Sequence, residues 1–247
     1  MERQLGGNVL TAQHGTLGRM KRVLTLSLLA LLVLPQASAQ TAQEIVSRVD
    51  QTQKNARDVS FRMTGRMMLD GGSQNMDVQV RALPTLGAAR MEFRQPQSLS
   101  GDVIVSDRRE VRQYWSISNQ ITVTPVSRAA SQAASQVGLG GGSLALDFAQ
   151  LGSVTSLASN FNVQLLGTSS AGGGSLYRLK ATPKQGKDAG TAQVWVTSQG
   201  WRPTRVQLFD PQGKLMVDLN VTNFKTNSGL TEAALRLLPR GARVVQQ

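Results

Sequence analysis

The sequence has 247 residues, a formal net charge of +12, no cysteine and a single histidine, His14. The lack of cysteine excludes a disulfide framework, a cysteine nucleophile and thiolate metal sites, and one histidine near the start leaves little basis for a Ser-His-Asp triad. The acidic residues are scattered along the chain. We therefore expect neither an enzyme, nor a bound metal, nor a cofactor.

Residues 1–39 are predicted to be an N-terminal extension and a signal peptide that is removed. Met20-Lys21-Arg22 form a short basic region, residues 23–34 are almost wholly apolar, and Ala37-Ser38-Ala39 is a cleavage signal of small residues. The apolar run is too short for a comfortable membrane span. We expect an exported mature chain that begins at Gln40. Translation starting at Met1 or at Met20 remains open.

The mature chain, residues 40–247, has the length of one domain and a net charge of +9. That charge allows nucleic acid or an anionic membrane surface as a partner. Export argues against nucleic acid. We therefore expect the positive charge to allow a transient contact with an anionic membrane surface.

A helix from about Thr41 to Ala56 opens the mature chain. Thr41 and Glu44 have the spacing of a capping box, in which each side chain satisfies a backbone N–H of the other residue. The apolar residues that follow lie on one helical face, so this helix is expected to cover a sheet.

Residues 59–93 alternate between apolar and polar side chains with a period of two. That period predicts strands with one apolar and one solvated face, and the short turns between them predict an antiparallel meander. Methionine is frequent on the apolar face and arginine on the other. The methionines fill an ordinary core or line a surface that accommodates varied apolar partners.

The rest of the chain predicts further strands with one interruption. Residues 103–126 continue the sheet, an insert of small residues at 127–151 is expected to be helical in part, and strands return from residue 161. About eleven strands at regular spacing are typical of a barrel or a strongly curved sheet.

Several segments, in this order and spacing, resemble the LolA-type periplasmic lipoprotein carriers over residues 41–245. The matching segments are Met91–Pro96, Val103–Asp107, Tyr114-Trp115, Trp201–Val206, Phe209–Gly213 and Leu237–Val245. The chain departs from the family at Leu83-Pro84, where many carriers have an Arg-Pro pair whose arginine latches a helical lid.

The resemblance implies a mainly β single domain, an unclosed antiparallel barrel of about eleven strands that is capped by helices. It further implies a monomeric, non-enzymatic carrier that holds lipoprotein or lipid acyl chains in an apolar cavity and moves them toward the outer membrane. An inner-membrane releasing complex and an outer-membrane acceptor would be its partners. The alternative is a regulatory module of the RseB kind, which binds lipoprotein or envelope signals and a protein partner.

On this interpretation the cavity wall is built from the inward residues of the early strands. The predicted wall residues are Phe61, Met63, Met67, Met76, Val78, Val80, Met91, Phe93, Val103, Val105 and Trp115.

Overall fold

A computed structural model describes residues 40–69, 72–129, 161–184 and 190–247 of the chain. The predicted signal peptide and most of the predicted helical insert at 127–151 lie outside the described residues. Within them, the predicted mainly β fold with an unclosed antiparallel sheet and helices is confirmed.

Helix α1 spans Ala42–Lys54 and begins with the predicted capping box. The Thr41 N–H donates to Glu44 Oε2 at 2.9 Å, and the Glu44 N–H donates to Thr41 Oγ1 at 3.2 Å. Ile45, Val46 and Val49 are buried against the sheet, so the amphipathic pattern decides which side of the helix faces the strands.

Within the described residues, twelve strands form one sheet. Their bounds are β1 Val59–Leu69, β2 Gly72–Leu83, β3 Ala88–Gln95, β4 Val103–Ser106, β5 Glu110–Trp115, β6 Gln120–Pro125, β7 Phe161–Ala171, β8 Gly174–Pro183, β9 Thr191–Thr197, β10 Arg202–Phe209, β11 Leu215–Thr226 and β12 Arg243–Gln246. A five-residue helix α2, Glu232–Arg236, precedes β12.

The strands lie in the order β12-β6-β5-β4-β3-β2-β1-β11-β10-β9-β8-β7. Strand neighbours are antiparallel, except that β12 runs parallel to β6. Strands β12 and β7 are the two edges and do not pair with each other, so the sheet is open. The strand beyond the predicted eleven is β12, which the tail of the chain adds beside β6.

The sheet has two faces with different coverings. On the inner face, which we define as the face that α1 covers, buried side chains from β1–β5 and β8–β11 form one apolar cluster with the helix. On the outer face, Leu235 of α2 packs in a second cluster with Leu83, Ala88, Val103 and Val105.

The two halves of the sheet meet where β1 pairs with β11. At Gly65 a Cβ atom would lie 2.0 Å from the carbonyl oxygen of Asp218, so only glycine fits there. Farther along, Asn223 has a φ of 53°, and the register shifts. Within this irregularity the Phe224 ring stacks on Phe61 with 5.8 Å between centroids, so an aromatic pair joins the two strands.

Asp58 fixes the start of β1 to the segment that follows β11. Its buried carboxylate accepts hydrogen bonds from the Ser228 N–H at 2.9 Å and the Ser228 hydroxyl at 2.6 Å, and from the N–H groups of Gly229 and Leu230 at 2.9 and 3.2 Å. Burial raises the pKa of Asp58, but these hydrogen bonds lower it by more, so the pKa lies below its ordinary value.

Candidate functional site

Eight of the eleven predicted wall residues lie together in the inner-face cluster. All are less than a tenth exposed, and they share this cluster with Ile45, Val46 and Val49 of α1. The eight are Phe61, Met63, Met67, Met76, Val78, Val80, Met91 and Phe93. The alternation in the sequence therefore assigned the faces of β1, β2 and β3 correctly.

Strand register arranges these side chains in rows across the sheet. Val78 of β2 lies opposite both Met63 of β1 and Phe93 of β3. The next row joins Phe61, Val80 and Met91 in the same way, and β4 extends it with Ile104. Each row is thus a continuous apolar band that runs perpendicular to the strands.

Val103 and Val105 do not lie on the inner face, contrary to the expectation from the sequence. Both pack on the outer face with Leu235 of α2, whereas Ile104 between them joins the inner cluster. The run Val103-Ile104-Val105 is apolar on both sides because β4 is covered on both faces. Such a run contains no alternation from which an inward face can be read.

Trp115 also lies apart from the inner cluster. It is only partly buried, and its Nε1 donates to Thr122 Oγ1 of β6 at 3.2 Å. Leu83, at the position of the family's latch arginine, is buried on the outer face with Leu235. Here, that position serves the contact with α2.

The second half of the chain continues the apolar inner face beyond the predicted residues. The added members include Tyr177 and Leu179 of β8, Val194 of β9, and Val217 and Leu219 of β11. Leu179 and Leu219 have polar residues on both sides, so the sequence held a signal for these two. Their membership in the same site depends on the pairing of β1 with β11, a long-range contact that the alternation does not specify.

An aromatic and basic group lies where α1 meets the second half of the sheet. The Tyr177 and Trp201 rings stack with 5.8 Å between centroids, and the Arg48 guanidinium of α1 lies 4.9 Å from the Trp201 ring. A cation–π contact of this kind holds the polar side of the helix against the aromatic ring.

The apolar face is larger than α1 can cover. A helix of 13 residues is about 20 Å long and about 10 Å wide, whereas the nine adjacent strands that contribute buried residues to the cluster, at about 4.8 Å spacing, extend over roughly 40 Å. Toward the β7 edge, Phe161, Val163 and Leu165 are only partly buried beside the cluster. The inward positions of β1, β2 and β3 are all uncharged.

The outer face is polar and charged over the same strands. Arg62 Nε donates to Asp77 at 2.7 Å, and this pairing lowers the pKa of Asp77. Arg90 is buried beneath α2, where it donates to Glu92 at 2.6 Å and to the carbonyls of Leu235, at 3.2 Å, and Leu237. The sequence placed Arg90 outward, but α2 covers it.

Asp107, after β4, helps to hold the end of α2. Burial raises the pKa of Asp107, but hydrogen bonds from Arg236 and from the N–H groups of Arg109 and Glu110 lower it to about 2. Arg90 and Asp107 together anchor α2 on the outer face.

Two further observations on the described part of the chain concern metal ligands and apolar helices. Within residues 40–69, 72–129, 161–184 and 190–247, no three His, Cys, Asp or Glu side chains are grouped to hold a metal ion. None of the helices in those ranges has the length and apolar character needed to cross a membrane.

Comparison with solved structures places this architecture among known folds. An uncharacterized conserved protein from Thermus thermophilus is 24% identical with a TM-score of 0.60, and the match covers 83% of this chain and 99% of that one. A putative outer membrane lipoprotein-sorting protein domain from Vibrio parahaemolyticus is 14% identical with a TM-score of 0.47, over 79% and 96% of the two chains. A LolA superfamily protein from Nitrosomonas europaea is 17% identical with a TM-score of 0.39, over 81% and 96%.

No family model and no curated protein matches the chain. At these identities the similarity is one of fold. LolA-superfamily and outer membrane lipoprotein-sorting proteins are thus among the solved structures that this chain is similar to, in line with the resemblance stated from the sequence.

Proposed function

We propose that the protein is a non-enzymatic carrier of lipid or lipoprotein acyl chains, exported to the periplasm, that holds its cargo against the inner face of the sheet. The observation that carries the proposal is the apolar inner face, which is uncharged across β1–β3, continues over β4, β5 and β8–β11, and extends beyond the helix α1 that lies on it. An acyl chain needs such a surface, because a charge beside it costs free energy.

The expected affinity for an acyl chain suits a carrier that must also release its cargo. Burying about ten methylenes contributes roughly 8 kcal/mol, which corresponds to micromolar affinity. An affinity of that order shields the chain from water and still permits release to an acceptor. The flexible thioether side chains of Met63, Met67, Met76 and Met91 suit acyl chains of different lengths.

The test is direct analysis of bound lipid. Protein purified from its native host compartment is extracted and its ligands are identified by mass spectrometry, and the delipidated protein is titrated with a fluorescent fatty acid. We expect co-purified acyl compounds and saturable binding of one probe per chain. Absence of both would contradict the carrier proposal. If the protein instead retained a protein partner through purification, the result would favour the RseB-like regulator.

A further inference from the structure

The outer face of β8, β9 and β10 carries a group of side chains that the proposed acyl site does not use. We call this group the basic platform. Its members are Arg178, Lys180, Gln193, Trp195, Arg205 and Gln207. Arg178 is exposed and the other five are partly exposed. Helix α2 covers the outer face elsewhere, at Leu83, Ala88 and the β4 valines.

Trp195 and Arg205 form the fixed part of the basic platform. Trp195 lies opposite Arg178 of β8 on one side and Arg205 of β10 on the other. The Arg205 guanidinium lies 5.0 Å from the Trp195 ring centre and donates to both carboxylate oxygens of Asp218, at 2.8 and 2.6 Å. Gln207 donates to the same carboxylate at 3.0 Å. Trp195 therefore lies between two basic residues of the neighbouring strands, one of which contacts its ring.

Arg178 and Lys180 are the two cations of the basic platform that are available to bind a ligand. Within the described residues neither side chain forms an ion pair or a hydrogen bond. On the β7 side, Arg178 lies opposite Gly167, where an added Cβ would meet no atom within 4 Å. Leu166, at the register shift beside this glycine, is 39% exposed. On the β7 side, the Arg178 side chain therefore borders open space and has no ionic partner among the described residues.

These side chains are those found where proteins meet a membrane surface. Tryptophan prefers the level of the lipid headgroups, and Lys and Arg near the surface are attracted by anionic lipids. Of the three cations of the platform, Arg205 is the one that pairs with a carboxylate among the described residues, that of Asp218, and the predicted mature chain carries a net charge of +9. The platform is thus complementary in charge to an anionic bilayer.

We propose that the basic platform docks on the surface of an anionic lipid bilayer. Arg178 and Lys180 bind lipid phosphates, and Trp195 lies at the depth of the headgroups. The platform is on the face opposite the apolar cluster, so docking does not require an acyl chain on the inner face. Failure of one activity is therefore distinguishable from failure of the other.

The experiment measures flotation of the delipidated protein with vesicles of phosphatidylcholine, alone or mixed equally with phosphatidylglycerol. The test variant is Arg178→Gln/Lys180→Gln. The matched control is Arg57→Gln/Lys225→Gln, which removes the same charge from exposed positions; Lys225 lies roughly 20 Å along β11 from Asp218. Thermal unfolding midpoints and fluorescent fatty-acid binding are measured on both variants without vesicles.

We expect wild-type protein to bind the anionic vesicles only, and molar salt to abolish the binding. The test variant should bind about 25-fold more weakly, since each lost cation weakens binding about fivefold, and the control should change by about twofold or less. Both variants should keep the wild-type midpoint and fatty-acid affinity. An equal loss of vesicle binding in the two variants would show that only the net charge of the protein matters, and it would overturn the proposal. A wild-type protein that does not bind the anionic vesicles would also overturn the proposal. This holds even if the protein binds dextran sulfate, a soluble polyanion, through Arg178 and Lys180.

Discussion

Methionine-to-alanine substitutions on the two faces of the sheet distinguish an acyl-binding wall from an ordinary core. Met91 is 2% exposed on the inner face and lies opposite Val80 of β2 and Ile104 of β4. Met68 is partly exposed and alternates with the inward Met67, so it is directed to the outer face. The same chemical change can therefore be made on each side of one sheet.

The structure sets the expected cost of each change. Met91→Ala removes three heavy atoms beyond Cβ, worth about 2.4 kcal/mol at about 0.8 kcal/mol per methylene, and the cavity left behind brings the loss to about 2–5 kcal/mol. Met68→Ala should cost less than about 1 kcal/mol. A free acyl ligand at about 100 times its Kd adds roughly 2.7 kcal/mol to the free energy of unfolding. If Met91→Ala weakens binding about tenfold, that gain falls to roughly 1.4 kcal/mol.

The assay is urea unfolding of the wild type and both variants, with and without a fixed concentration of free palmitate. Palmitate should stabilise the wild type and Met68→Ala equally and Met91→Ala by about half as much. A wild type that gains no stability from palmitate would refute the carrier proposal, whatever the cost of Met91→Ala, and would leave the inner face as an ordinary core. Equal loss of the palmitate effect in both variants would place the acyl site elsewhere.

Three further outcomes are expected. Asp58→Asn should lose about 2 kcal/mol near neutral pH, because amide hydrogens then face backbone N–H donors. The folded pKa of Asp58 is lowered, so the stabilisation by its carboxylate is present above about pH 4 and disappears as pH falls. The free energies of unfolding of the wild type and Asp58→Asn, measured against pH, should therefore converge in acid. A constant difference between the two would contradict this. Arg90→Ala should cost about 3–5 kcal/mol, since it leaves Glu92 and two carbonyls of the α2 region without their buried partner, whereas Arg112→Ala, at an exposed pair, should cost less than about 1 kcal/mol by thermal unfolding. The mass of the protein from its native host should correspond to a chain that begins at Gln40, and a mass that includes residues 24–34 would exclude export as a processed chain.

Local patterns in the sequence were sufficient for the elements and for most faces. The Thr41–Glu44 spacing located the start of α1, and alternation placed Met63, Met76 and Met91 on one face, because both signals depend on neighbours a few residues away. The alternation failed at Val103 and Val105, where α2 makes the outer face apolar as well. The covering helix lies more than a hundred residues later, and no local period reports it.

Long-range pairing was the other unpredictable part. The chain turns back so that β11 pairs with β1, which joins Leu219 to the face that contains Met63. The tail similarly returns to add β12 beside β6. Neither pairing follows from a turn of a few residues, because the loop that each one closes spans much of the chain. The sequence therefore predicted half of the apolar face and none of the basic platform.

The period of two also explains how one sheet could hold a cargo and dock on a membrane. In β8 the inward Tyr177 and Leu179 alternate with the outward Arg178 and Lys180, so neighbouring residues serve opposite faces. A substitution at an inward position changes apolar contacts and leaves the platform charge unaltered, and the reverse holds for an outward position. A one-residue shift of register would exchange the two sets and place charge against the apolar cluster, at a large cost in free energy. Folding that buries the inward residues therefore also fixes which residues face outward. The two proposed activities can be changed separately by single substitutions because they lie on opposite faces of the sheet.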